Sequence, residues 1–287
     1  MCICTATEFT PDYGGPVDTD VQRIAMSVDD SQVWTYNHYG GVDDTVGYWS
    51  PDQTWTDFCN TNFGIGDGYD TPRDIALDDA FVYLIVANCV FRIARTSEYT
   101  FYTEFSPECI LVWNNYMNRC WLDNGFLYFV ETTDVFPTTL YALTKLDLAT
   151  LATTTIVDPL PTPTGFEPPN LCIDNNGIIW VSIDDTIYQY TVSGTEVTSF
   201  AVQSLVSSQI ADLIFLSGSV YVLSQFPEAH LVKVTSSTVE CDLEFPTWTD
   251  NEGVVVATEE EVFLGKNFKS IAANGTVIAL GNEGPGG

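Results

Sequence analysis

A short pattern recurs along the whole chain: an apolar strand, a tight turn, and a second strand with an aromatic residue near its middle. The clearest copy runs from Leu171 to Ser182, where Asp174-Asn175-Asn176-Gly177 separates the two apolar segments. Asn and Gly readily adopt the positive φ values that a tight β-hairpin requires. The aromatic residues of the second strands are Trp34, Tyr83, Tyr128, Trp180, Tyr221 and Phe263.

These aromatic residues follow one another at intervals of about 40–50 residues, which is room for four short strands each. This period is typical of β-propeller blades. We therefore predict an all-β fold, a single six-bladed β-propeller of four-stranded antiparallel blades over residues 1–287. The predicted blades are approximately 21–63, 72–105, 117–157, 169–202, 210–245 and 251–281. Residues 1–10 are predicted to form a strand that closes the ring at the outer edge of the last blade.

The repeated units resemble NHL-type propeller repeats, and residues 169–182 also resemble a blade of the gluconolactonase-like propellers. The resemblance implies the propeller fold. The lactonase-like enzymes hold a divalent metal in the central channel with Glu, Asn and Asp residues of the inner strands. This chain has no Glu-Gly-Pro motif at the start of its first unit, and its inner-strand acidic residues do not align with that pattern.

Charge excludes several classes of partner. The chain of 287 residues has 39 acidic and 9 basic side chains, a net charge of −30. Such a surface cannot neutralise phosphates over a broad face, so neither nucleic acid nor an anionic membrane is an expected partner. Aromatic residues make up 13% of the chain, unlike a disordered acidic tail.

The sequence has no secretory signal in this numbering and no apolar stretch long enough to span a membrane. We expect a protein of a virion, or one that becomes extracellular without a signal peptide; a cytoplasmic location is the alternative. Eight cysteines are present without any Cys-x-x-Cys pair. Because a chain of this length needs no disulfide framework, buried thiols are favoured over bridges.

A candidate ligand site lies at the mouth of the central channel. Counting back from each aromatic residue, the residues that enter the inner strands are Arg23, Arg73, Arg119, Asn170, Ala211 and Gly253. The arginine guanidinium forms forked hydrogen bonds with carboxylate or phosphate groups. Arg23, Arg73 and Arg119, together with Asn170, could therefore bind an acidic ligand. The structural alternative is that neighbouring acidic residues, among them Asp74 and Asp212, pair with these arginines inside the protein.

Two further segments are candidates for binding. Residues 36–57 are predicted to form a long loop with Tyr36, Tyr39, Tyr48, Trp49 and Trp55, which could contact a glycan or a protein or could pack between blades. In the Gly-rich segment 64–72, Asp67 and Asp70 are weak candidates for calcium ligands, and a solvated turn is favoured. No other cofactor is predicted.

No catalytic set is recognisable in the sequence, and the fold alone does not supply a function. The leading hypothesis is a non-enzymatic interaction protein of a virion capsid, tail or fibre, present in multiple copies, that binds other assembly proteins or a host-surface glycan. The Lys-poor composition, rich in Thr, Tyr, Asn and Asp, favours this interpretation. The alternatives are a hydrolase or lactonase with an axial active site, and an intracellular scaffold.

Overall fold

The computed structural model describes β-strands that form a ring of antiparallel sheets. The residues it describes are 2–3, 20–26, 32–38, 45–50, 55–60, 72–86, 88–95, 108–113, 115–135, 138–164, 168–202, 209–225, 231–235, 238–244, 248–249, 255–257, 267–274 and 277–283. No helix among these residues is long and apolar enough to cross a membrane.

Five sheets of four antiparallel strands follow one another along the chain, and each is one blade. The first blade contains β2 (Asp20–Met26), β3 (Val33–His38), β4 (Thr45–Trp49) and β5 (Trp55–Asn60). The second contains β6 (Pro72–Leu77), β7 (Phe81–Val86), β8 (Cys89–Ala94) and β9 (Glu108–Val112). The third contains β10 (Tyr116–Asp123), β11 (Phe126–Val135), β12 (Thr138–Asp147) and β13 (Thr153–Val157).

The fourth blade contains β14 (Asn170–Ile173), β15 (Ile179–Ile183), β16 (Thr186–Tyr190) and β17 (Glu196–Ala201). The fifth contains β18 (Gln209–Leu216), β19 (Ser219–Gln225), β20 (Leu231–Thr235) and β21 (Thr238–Glu244). The strand order within each blade is the order of the sequence, and β6, β10, β14 and β18 contact one another in turn as inner strands. The all-β propeller fold is therefore confirmed.

The prediction of six blades is wrong, because only five four-stranded sheets form among the described residues. In the predicted sixth unit, β23 (Val255–Ala257) pairs with the preceding β22 (Trp248–Thr249), and β24 (Asn267–Asn274) pairs with β25 (Val277–Glu283). The predicted turn of this unit, Glu259-Glu260, and its aromatic residue Phe263 lie outside the described residues. The hairpin of β24 and β25 lies between the fifth and first blades, where β24 contacts both β18 and β2.

The N-terminal strand also differs from its prediction. The described strand β1 (Cys2–Ile3) pairs in parallel with β21, the outermost strand of the fifth blade. Ring closure by this strand is not shown, because the position between the fifth and first blades is occupied by β24 and β25. The fourth strand of the second blade also lies at Glu108–Val112, beyond the predicted end of that blade at residue 105.

The hydrophobic core is divided into four clusters, one between each pair of neighbouring four-stranded blades. Strand β7 shows how this arises: Val82 and Leu84 pack towards the first blade, while Tyr83 and Ile85 pack towards the third. The repeated aromatic residue contributes to each cluster, as Trp34, Tyr83, Tyr128 and Trp180 in succession along the ring. The sequence repeat therefore reflects packing between blades.

Each blade has two edges. The turns between its first and second strands and between its third and fourth strands lie at one edge, which we call the hairpin edge. The chain crosses from one blade to the next at the opposite edge, the crossover edge. At the hairpin edge, Asn124 and Gly125 have φ values of 48° and 80°, and Ser217 and Gly218 have values of 50° and 87°. These are the positive values that two-residue hairpins require.

Candidate functional site

The strand registers define which residues are equivalent around the central channel. On each inner strand, the residue opposite the repeated aromatic is Ala25, Ala76, Trp121, Cys172 or Ile214. Two residues earlier on the same strands are Arg23, Asp74, Arg119, Asn170 and Asp212. Acidic and basic residues are therefore mixed at this position around the axis.

This register corrects the predicted set of equivalent residues. Arg73 and Ala211 each lie one residue before the equivalent positions, which belong to Asp74 and Asp212. The reason is the length of the hairpin: the inner-strand residue opposite the repeated aromatic precedes it by seven residues in the second and fifth blades, but by nine in the first and eight in the fourth. The Arg73 side chain is exposed, whereas Asp74 is buried. The predicted Gly253 lies outside the described residues, and the side chain of Arg23 is also outside them.

Two members of the predicted ligand set meet in the structure. Arg119 is only 7% exposed, and its Nε donates a hydrogen bond of 2.6 Å to Oδ1 of Asn170, which is 1% exposed. The Nη1 group of Arg119 donates to the backbone carbonyl of Arg73 at 3.4 Å. Arg119 therefore connects the third blade to both of its neighbours.

Asp74 and Asn170 extend this chain of contacts. Oδ2 of Asp74 accepts a hydrogen bond of 2.7 Å from the backbone N–H of Cys120, and its Oδ1 accepts one of 2.9 Å from the N–H of Ile75. Nδ2 of Asn170 donates to the carbonyl of Ile210 at 3.2 Å. The three side chains thus form hydrogen bonds between blades from the second to the fifth.

A cavity of about 140 Å³ lies between the inner strands. Its polar residues are Asp74, Arg119 and Asp212, and the remainder of the lining is largely apolar, with Met26, Leu77 and Leu122 towards the hairpin edge. A cavity of about 150 Å³ admits a molecule the size of benzene, whereas pockets for drug-sized ligands have volumes of about 300–1,000 Å³. The cavity can therefore hold a few waters or a very small molecule.

The aromatic segment from 36 to 57 is not the predicted loop. Tyr36 lies on β3, Tyr48 and Trp49 lie on β4, and Trp55 lies on β5. The Tyr48 ring contacts Trp34, with ring centroids 4.7 Å apart and an interplanar angle of 34°, and packs against the cluster between the first two blades. The packing alternative therefore applies to Tyr48. Tyr39 lies outside the described residues, and a role of this segment in binding stays a prediction.

The predicted calcium ligands Asp67 and Asp70 also lie outside the described residues. Within the part of the chain that the structure describes, no group of three or more His, Cys, Asp or Glu residues is arranged to hold a metal ion. Cys89, Cys120 and Cys172 are buried thiols, as predicted for these strands, and Cys109 is an exposed thiol. Burial and the nearby carboxylates of Asp212 and Asp174 raise the pKa of the Cys172 thiol, which disfavours the reactive thiolate.

Aspartates at the hairpin edge are engaged within their own hairpins. Oδ1 of Asp174 accepts hydrogen bonds from the N–H groups of Asn176 and Ile178, and its Oδ2 accepts one of 3.2 Å from Nε1 of Trp180. In the second blade, Oδ2 of Asp78 likewise accepts from the Tyr83 hydroxyl at 2.9 Å. Burial and this hydrogen bond raise the pKa of Tyr83. These carboxylates shape turns and hold the repeated aromatics.

Glu131 is a buried carboxylate that the sequence pattern did not single out, and it is only 3% exposed. Its Oε2 accepts hydrogen bonds from Trp113 Nε1 and from Asn115 Nδ2, the latter at 2.7 Å. Its Oε1 accepts one from the Thr144 hydroxyl. Glu131 therefore fixes the crossover between the second and third blades. The sequence signal for this buried carboxylate is a charged residue directly after the apolar run Phe126–Val130.

Comparison with known proteins supports the fold alone. The sequence matches no protein-family model and no curated protein. By structure, the chain is similar to a structural genomics protein of unknown function from Bacteroides thetaiotaomicron, with a TM-score of 0.63 and 16% identity over 95% of this chain and 69% of that one.

Two further solved structures are similar. The WD40 β-propeller domain of Doa1 has a TM-score of 0.54 and 12% identity over 92% of this chain and 90% of that one. YCF48 bound to D1 peptide has a TM-score of 0.54 and 12% identity over 93% of this chain and 76% of that one. Together with the five sheets, these likenesses establish a β-propeller protein. Membership of the NHL family is not confirmed.

Proposed function

We propose that this β-propeller is a non-enzymatic interaction module that binds another protein. The proposal rests on the polar residues at the axis, which are engaged in hydrogen bonds within the protein. Arg119, Asn170 and Asp74 form hydrogen bonds between blades, so their donors and acceptors stabilise the ring. The cavity of about 140 Å³ beside them is also smaller than pockets that enclose drug-sized substrates, about 300–1,000 Å³.

The similar structures support the same class of function. YCF48, whose structure was solved with the D1 peptide bound, shares the fold of this chain. At 12% identity the likeness concerns the fold, so the peptide contacts of YCF48 are not transferred to residues here. A propeller offers two faces of turns and crossovers on a rigid ring, which suits protein binding.

A finer form of the proposal is that the partners are proteins of a virion and that the propeller occurs in several copies in a capsid, tail or fibre. Composition supports this form: 39 acidic residues against 9 basic ones, with 13% aromatic residues. A surface of this kind resists non-specific association with other acidic molecules, while aromatic side chains supply specific contacts.

The test is to purify the native particle that contains this chain and to determine its size and composition by imaging and mass spectrometry of one sample. The proposal expects the chain in a stoichiometric complex with another protein, and its finer form expects symmetric copies on a virion. A recombinant sample of the chain alone is the control for self-association. A monomer in the native source that turns over a small substrate would overturn the proposal.

A further inference from the structure

Two large apolar side chains are strongly exposed at one crossover. Val112 ends β9 and is 68% exposed, and Tyr116 begins β10 and is 53% exposed. Only three residues separate them, so both lie at the crossover edge between the second and third blades. We call these two side chains the crossover patch. Tyrosine is enriched among residues that dominate binding energy at protein interfaces.

Hydrogen bonds hold Trp113 and Asn115, the residues next to Val112 and Tyr116. The N–H of Trp113 donates to the carbonyl of Asn88 at 2.8 Å, and Asn88 Nδ2 donates back to the carbonyl of Trp113 at 3.1 Å. The buried carboxylate of Glu131 accepts hydrogen bonds from the side chains of Trp113 and Asn115. A surface that is already ordered loses little conformational entropy when a partner binds.

The charge of this edge of the ring, together with that of the whole chain, favours a basic partner. Asp158, Asp184 and Asp185 lie at the crossover edge of the third and fourth blades. Arg73 is the exposed cation at this edge among the described residues. The whole chain has a net charge of −30. An approaching basic segment is attracted by this field, whereas a second copy of the chain is repelled by it.

We propose that the crossover patch docks a basic segment of a partner protein, with apolar side chains of that segment seated against Val112 and Tyr116. This inference rests on the proposed function and specifies its surface and its partner chemistry. Glu131 then acts as a positioning residue for the interface, because it accepts hydrogen bonds from the side chains of Trp113 and Asn115, which adjoin Val112 and Tyr116.

The experiment measures binding of three synthetic octapeptides to the whole chain by fluorescence anisotropy. The first is rich in lysine and carries one tryptophan and one leucine. In the second, serine replaces both apolar residues, and in the third, glutamate replaces every lysine. Each peptide is tested against the wild type, the Val112→Ser/Tyr116→Ser variant, and a control variant, Leu151→Ser/Val192→Ser. The control removes two other exposed apolar side chains, which lie in turns at the hairpin edge.

We expect the first peptide to bind the wild type and the control variant equally and to bind the Val112→Ser/Tyr116→Ser variant at least about tenfold more weakly. Equal binding by all three proteins, or equal binding of the first and second peptides, would overturn the inference. Sedimentation of the wild type supplies a further arm, since a dimer that dissociates on Tyr116→Ser would identify a second copy as the occupant instead.

The outcomes separate this inference from the proposed function. If the native particle contains a stoichiometric partner and the peptides do not distinguish the variants, the interaction role stands and the crossover patch is the wrong surface. If no partner accompanies the chain in its native source, the proposed function itself fails.

Discussion

The contacts between blades and the turns within blades differ in how they use polar groups. Between blades, Arg119 and Asn170 are buried and join residues far apart in the sequence. Within blades, Asp174 is partly exposed and bonds to residues two to six positions later. Burial makes an unsatisfied donor or acceptor more costly. The ring should therefore depend more strongly on the contacts between blades than on the hairpins.

Two glycines make this comparison directly. Gly194 and Gly177 both have positive φ, 86° and 75°. A Cβ atom at Gly194 would lie 2.1 Å from the backbone oxygen of Ile156 in the third blade, whereas a Cβ at Gly177 would have no atom within 4 Å. Gly194→Ala should lower the free energy of unfolding by about 4 kcal/mol, and Gly177→Ala by about 1–2 kcal/mol.

Chemical denaturation of both variants tests this difference. Equal losses of stability for Gly194→Ala and Gly177→Ala would show that the approach of the fourth blade to Ile156 is looser than the structure has it.

Replacement of the axial arginine should have the next largest effect. Arg119→Met removes hydrogen bonds to Asn170 and to the Arg73 carbonyl and leaves buried acceptors behind, which should cost about 3 kcal/mol. The control is Arg92→Met, which removes the surface ion pair with Glu108 and should cost less than about 1 kcal/mol. Urea unfolding gives both values. A smaller loss for Arg119→Met than for Arg92→Met would contradict a structural role of the axial residues.

Removal of a turn carboxylate should have a moderate effect. Asp174→Ala removes the acceptor for two backbone N–H groups and the Trp180 ring, and partial access to water limits the cost to about 1–2 kcal/mol. Asn175→Ala, at the exposed neighbouring position, is the matched control. The thermal midpoints of the two variants measure the difference. A stable Asp174→Ala protein would show that the hairpin needs only its backbone geometry.

The smallest effect concerns pH. Burial, with the charge of Glu196, raises the pKa of Tyr190 to about 12. The folded protein therefore holds this proton more tightly than the unfolded chain, whose tyrosine pKa is about 10. The stability from this group is complete below pH 10 and is lost as pH rises towards 12. Between pH 10 and 12, the free energy of unfolding of Tyr190→Phe should therefore fall less than that of the wild type. An equal fall in both proteins, measured by urea unfolding at each pH, would refute this.

The same comparison explains what the sequence could predict. The turns use residues close together in the chain, so Asp-Asn-Gly patterns and the repeated aromatics revealed the blades, their order and the all-β fold. Trp180 and Asp174, for example, are six positions apart and bond to each other. The turns at Asn124-Gly125 and Ser217-Gly218, with positive φ at both residues, follow the same local rules.

Contacts between blades could not be predicted in this way. The first hairpins of the blades differ in length, and the sequence does not mark the residue that lies opposite each aromatic. Counting therefore placed Arg73 and Ala211 one position too early. The sixth unit was counted from a local pattern of strand, turn and aromatic residue, and such a pattern does not show whether the strands join one four-stranded sheet. Glu131 binds Trp113 and Asn115 of one crossover and Thr144 of β12, which a linear pattern cannot show.

The buried thiols give the ring a set of built-in chemical reporters. Cys89 lies in the cluster between the first and second blades, Cys120 in the cluster between the second and third, and Cys172 in the cluster between the fourth and fifth. An alkylating reagent reaches such a thiol only when its interface opens. The order in which the three cysteines are alkylated, measured by mass spectrometry, therefore records the order in which the interfaces between blades open.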